Sequence, residues 1–152
     1  VAIFPDQTGF CVGSVEGRVA VEHIQDTDLS KNFAFKCHRQ NTDSKEAELY
    51  AVNALAFHPI GTFATAGSDG AFHFWDKDAK HRLKAFQRAN QAVTAACFNH
   101  DGALFAYAVG YDWSKGVSPH LKLSEQDRKG RIMLHMVGQE CRHKKKDDTK
   151  RW

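Results

Sequence analysis

Two stretches decide the fold: Val52–Gly70, "VNALAFHPIGTFATAGSDG", and Val93–Asp112, "VTAACFNHDGALFAYAVGYD", which start 41 residues apart. Val52 matches Val93, Ala54 matches Ala95, Phe57 matches Phe98 and Gly61 matches Gly102. A looser copy opens the chain, "VAIFPDQTGFCVGSVEGRVAVEHI", with Phe4 for Phe57 and "GSVEG" for the "GSDG" turn. Its unit is stretched by polar inserts at 25–32 and 40–48.

A period in the low forties is the blade period of a β-propeller. Each unit reads as short strands separated by turns. In the middle unit the strands are expected at 52–57, 62–67, 71–75 and 82–86. Their apolar runs do not alternate cleanly, which suits strands covered on both faces by neighbouring blades. His58-Pro59-Ile60-Gly61, Asn99-His100-Asp101-Gly102 and Ser68-Asp69-Gly70 supply the turns. The expected organisation is a partial propeller over 1–137, with blades at 1–48, 49–90 and 91–137, followed by a basic tail at 138–152.

The middle unit resembles the WD-repeat family. There a Ser or Thr on the second strand, an Asp in the next turn and a Trp on the third strand form a buried hydrogen-bonded set. Thr65, Asp69 and Trp75 occupy those positions. The family's Gly-His pair before the first strand is missing, since "ELYAVN" stands there. The resemblance therefore implies an incomplete network, with Asp69 holding its turn and Trp75 only loosely tied. Trp75 is core by default, and its indole N–H needs a partner. Its lapse from the full set favours a second role, as a partly exposed wall.

Composition limits the function classes. The chain has 152 residues, 42% hydrophobic and 11% aromatic, which is a packed domain and not a disordered segment. Four widely spaced cysteines, Cys11, Cys37, Cys97 and Cys141, include no CxxC pair. A zinc ribbon and a disulfide framework are unsupported. No apolar run approaches membrane-spanning length, so no membrane partner is expected. Residues 117–152 carry 10 Lys+Arg against 5 Asp+Glu, while residues 1–116 carry 11 against 13, so the basic character sits in the last quarter. That pattern reads as a solvated terminus, a nuclear-import signal or a weak nucleic-acid contact.

Cys37-His38 with Cys97 and His100 raises the question of a metal or nucleophile site. On a strand, neighbouring side chains point to opposite faces. Cys97 sits mid-strand as a small core residue would. No phosphate loop, GxSxG or HExxH is present. The expectation is a non-enzymatic protein without metal or cofactor. Binding has better support. Phe33 and Phe35 are two residues apart on one strand face, followed by Lys36, His38 and Arg39. Trp75 is followed by Lys77, Lys80, His81, Arg82 and Lys84. Aromatics interleaved with cations suit single-stranded nucleic acid or an acidic peptide with an apolar anchor. The alternative is inter-blade core with a solvated rim.

Three further stretches narrow the resemblance: "SVEGRVAVEHI" (14–24), "NFAFKCHRQN" (32–41) and "FAYAVGYDWSKG" (105–116). Together they resemble the C-terminal part of the nuclear mRNA export factor family, seven-bladed propellers that dock on an FG-repeat nucleoporin hairpin. The kinetochore checkpoint propeller is a sister family sharing "FKCHR", "AVN" and "GSDG" but lacking "YDWSKG". The resemblance implies an all-β WD-repeat β-propeller of which this chain supplies about three C-terminal blades, as a fragment or a partial gene model. The last blade is expected to have three strands from this sequence.

The resemblance also implies a groove for single-stranded RNA or mRNP that viral acidic peptides seize. By match it would comprise Arg18, Phe33, Phe35, Trp75, Asp76, Lys77, Lys80 and Arg82. The nucleoporin hairpin would dock elsewhere. The implied setting is the nucleus, the nuclear pore complex and the cytoplasm. The alternatives are a spindle checkpoint scaffold binding mitotic factors and a ubiquitin-ligase substrate receptor, the latter resting on fold alone.

Overall fold

The computed structural model describes residues 1–41 and 46–143. Its strands form three antiparallel meanders. The first sheet contains β1 (Ala2–Ile3), β2 (Gly9–Gly13), β3 (Arg18–His23) and β4 (Phe33–Lys36). The second contains β7 (Val52–Phe57), β8 (Phe63–Gly67), β9 (Phe72–Asp76) and β10 (His81–Ala85). Between them β5 (Arg39–Asn41) and β6 (Ala47–Leu49) pair as a small hairpin. The third sheet has three strands: β11 (Val93–Phe98), β12 (Leu104–Val109) and β13 (Arg131–Met136). The loop before β13 carries two short helices, α1 (Val117–Leu121) and α2 (Glu125–Arg128). Ser124 starts α2 by accepting a hydrogen bond from the Asp127 amide at 3.1 Å. No helix among the described residues is long and apolar enough to cross a membrane.

The repeat is visible in the register. The first strand of the second sheet is irregular between Val52 and Ala54, and that of the third between Val93 and Ala95. The turns share a mechanism: an Asp carboxylate accepts an amide two residues on, from Ala71 to Asp69 at 3.1 Å and from Ala103 to Asp101 at 2.8 Å. Gly70 has φ 78°, and a Cβ there would meet the carbonyl oxygens of Ala89 and Gln91 at 2.7 Å, so only glycine fits.

Every residue of β8 and β9 is buried, because both faces are covered. Alternation divides the side chains between two cores. Ala64, Ala66, Phe72 and Phe74 pack with Val93, Phe105 and Cys141 toward the third sheet. Phe63 and Trp75 pack with Phe4, Cys11, Val19 and Val21 toward the first. Each fully buried Phe or Val contributes about 1.5–3 kcal/mol. These two cores stack the three sheets side by side as consecutive blades do.

The expected tail at 138–152 begins inside the fold. Gln139–Cys141 is a single 3-10 turn with Cys141 fully buried. The Thr62 hydroxyl donates to the Cys141 carbonyl at 2.7 Å, and His143 reaches Asp76 and the Ile60 carbonyl at 2.7 and 3.1 Å. Residues 144–152, which hold most of the basic run, lie outside the described residues.

Candidate nucleic-acid interface

The site begins with a buried relay. Trp75 Nε1–H donates to Thr65 Oγ1 at 3.0 Å. Thr65 Oγ1 lies 2.9 Å from His38 Nε2, and His38 Nδ1 lies 2.8 Å from Asp69 Oδ1. A carboxylate only accepts, so the proton on this side sits on Nδ1; Nε2 then takes the hydroxyl proton of Thr65. All four side chains are satisfied in one tautomer. His38 is fully buried and the Asp69 side chain is 2% exposed. Burial works to raise the Asp69 carboxyl. The hydrogen bond from His38, the Ala71 amide and Arg88 outweigh it and hold the group below the usual range.

The relay corrects the sequence-based expectation of an incomplete network. The histidine is present, but it is His38, before the β5–β6 hairpin, and not a residue next to β7. From the sequence, "FAFKCHR" reads as one strand with Cys37 and His38 on opposite faces; β4 stops at Lys36, which frees His38 to turn inward. Trp75 is accordingly buried, 9% exposed, and is more firmly held than the expected partly exposed wall. A second histidine, His73, stacks on His38 with ring centroids 5.1 Å apart. Burial above all, with the Arg82 charge adding to it, pushes it down to about 4.

Above the relay lies a cleft of about 90 Å³, lined by Phe33, Phe35, Lys36, Phe63, Trp75, Asp76, Lys77, Lys80 and His81. Phe33 and Phe35 project from the same face of β4 and stack at 6.0 Å. Phe35 meets Trp75 at 4.5 Å, joining the first sheet to the second. Lys80 Nζ sits 4.8 Å over the Phe33 ring, and Arg82 lies 5.9 Å from the Trp75 ring. Lys77 pairs with Asp78 at 2.7 Å and lies over Phe4. Of the eight residues expected here, Phe33, Phe35, Trp75, Asp76, Lys77 and Lys80 meet at the cleft. Arg82 flanks it, and Arg18 is exposed opposite Lys36 at the start of β3 without lining it. Lys36 and His81 line it as well.

The "YDWSKG" motif does a different job. Asp112 accepts hydrogen bonds from the Ser68 hydroxyl and from Asn53 Nδ2, the latter at 3.2 Å, and Asn53 also donates to the Val93 carbonyl at 3.0 Å. It therefore ties a loop of the third sheet to the turn of the second. Three of the four cysteines are poor nucleophiles. Burial pushes the thiols of Cys11 and Cys37 up to about 12 and that of Cys141 to about 11. Cys97 is exposed, on β11.

The family description "WD domain, G-beta repeat" matches residues 35–76, a span that contains all four members of the relay. Among curated proteins, Protein RAE1 of Arabidopsis thaliana is 57% identical over 137 residues, covering 90% of this chain and 37% of that protein. The mRNA export factor GLE2 of Chaetomium thermophilum is 50% identical over 144 residues, covering 93% and 39%. The mRNA export factor of Danio rerio is 49% identical over 154 residues, covering 96% and 41%. The stacked antiparallel sheets and the relay make this a chain of the WD-repeat β-propeller class. Within that class it belongs to the mRNA export factor family. It spans about two fifths of the length of the curated relatives it matches.

Proposed function

We propose that the protein is a non-enzymatic WD-repeat scaffold in nuclear mRNA export, working at the nuclear pore. One of its surfaces holds a nucleoporin hairpin. The cleft between β4 and the β9–β10 turn holds single-stranded RNA. The names of its relatives support the process. The observation that carries the RNA reading is the meeting of Phe33, Phe35 and Lys80 across two sheets, with Lys80 poised over an aromatic face. Bases stack on such rings, and phosphates pair with the cations beside them.

The test is RNA affinity across a salt series in the full-length protein. Phe33→Ala should weaken binding by about 1–3 kcal/mol, the worth of one base–aromatic stack. Lys80→Glu with Arg82→Glu should weaken it more at low salt than at high salt and flatten the salt slope. Nucleoporin capture should survive both changes. Equal affinity and equal slope in all forms would return these residues to the role of inter-blade core and rim.

A further inference from the structure

The segment after β13 bears directly on this cleft. It is anchored by Cys141, fully buried in the core between the second and third sheets, and by the Thr62 hydroxyl on its carbonyl. Two residues on, His143 Nδ1 meets Asp76 Oδ2 at 2.7 Å, and its Nε2 faces the Ile60 carbonyl at 3.1 Å. Asp76 is a cleft residue, and its side chain is 3% exposed. Its other oxygen, Oδ1, accepts the amides of Asp78 and Ala79 at 3.0 Å each. Those amides form the turn that presents Lys77 and Lys80. Lys80 in this turn has φ 54°, a left-handed value uncommon for a residue with a side chain.

We propose that Gln139–His143 is a built-in clamp of the cleft: His143 holds the Asp76 carboxylate that fixes the Lys77–Lys80 turn, and cancels its charge toward an RNA phosphate. The inference rests on the RNA reading above only for its second half. His143 is a positioning residue. The charged groups facing it are Asp76 and Asp78, with Lys77 paired to Asp78 and Arg142 preceding it in the chain. The Asp76 hydrogen bond comes first, then the Ile60 carbonyl, in holding its imidazole charged above the ordinary range.

Two variants of the full-length protein separate positioning from charge. His143→Ala removes both; His143→Gln keeps a neutral donor for Asp76 and removes the charge. In hydrogen exchange without RNA, the Asp78 and Ala79 amides should exchange faster in His143→Ala and stay protected in His143→Gln. At about pH 6, below the ordinary histidine value, His143→Gln should bind single-stranded RNA about threefold more weakly than wild type. The direction follows from Coulomb repulsion between a bare carboxylate and a phosphate, and a loss of about threefold is its modest order. As the pH rises through the raised value of His143 the two should converge. Unchanged exchange in His143→Ala together with equal RNA affinities at low pH overturns the clamp. Failure of the wild type to bind RNA overturns the RNA reading instead, and the exchange arm, which needs no RNA, still decides the clamp.

Discussion

The second and third sheets come from the same repeat and differ in what holds them. In the second, β8 and β9 are buried throughout, with a neighbouring sheet on either side and a hydrogen-bonded relay within. In the third, β13 leaves Ile132, Leu134 and Met136 exposed at 80, 68 and 82%, one row on one face. Among the described residues the relay has no counterpart there. Leu55 pairs with Thr65 and Phe63 with Trp75; at the matching register Ala96 pairs with Tyr107 and Phe105 with His135. Tyr107 and His135 thus stand where Thr65 and Trp75 stand. The same strand–turn rhythm can be built with or without buried polar bonds. What changes is whether a polar residue is sealed between two sheets, where each missing partner is costly.

The largest effect should come from breaking the relay in the full-length protein. His38→Ala or Asp69→Ala strands the other member of a buried pair and should cost about 3–5 kcal/mol, read as a large fall in melting temperature. Tyr107→Phe, at the matching place in the third sheet, should stay within about 0.5 kcal/mol. Equal losses at the two places would erase the distinction. Trp75→Ala belongs with the first group. It opens a cavity and removes the indole donor to Thr65, so it reports on the fold, and RNA binding is better probed at Phe33 and Lys80.

Acid should come next. His73 in the folded protein is pushed down to about 4, below the ordinary 6.5. The folded state therefore binds fewer protons, so its contribution is complete above pH 6.5 and is lost as pH falls toward 4. The loss should approach about 3 kcal/mol, and a His73→Phe variant should lack that component of the pH–stability curve. His143 has the opposite sign. Its value is raised, so its contribution is present below 6.5 and fades as pH rises through the raised value. With its side chain 41% exposed, its effect on melting should be much smaller than that of His73. An alkaline loss in wild type that persists in His143→Gln would assign it to another group.

The smallest effect on stability, though a visible one on solution behaviour, concerns the third sheet. The 152-residue chain expressed alone should elute from size exclusion as larger species, because β13 presents an apolar row and an unpaired edge. Ile132→Lys with Leu134→Lys should shift it toward the monomer. A sharp monomeric peak from the unchanged chain would mean that this face needs no cover.

Much of this was legible in order along the chain. The spacing of Val52 and Val93, the glycine and aspartate turns and the unbroken apolar runs determine short strands covered on both sides, because backbone geometry and burial act locally and repeat. The pairing of Phe33 with Phe35 on one face follows from the two-residue period of a strand. The partners of the buried groups did not follow. His38 reaches Thr65 and Asp69 across the β5–β6 hairpin, and His143 reaches Asp76 from 67 residues away. A hydrogen bond is decided by distance and direction in space, and a sequence carries neither once an insert intervenes. Hence the residue type of Trp75 and its strand were set by the sequence, while its burial, and the hold of the C-terminal segment on the cleft, were decided only when the sheets closed on one another.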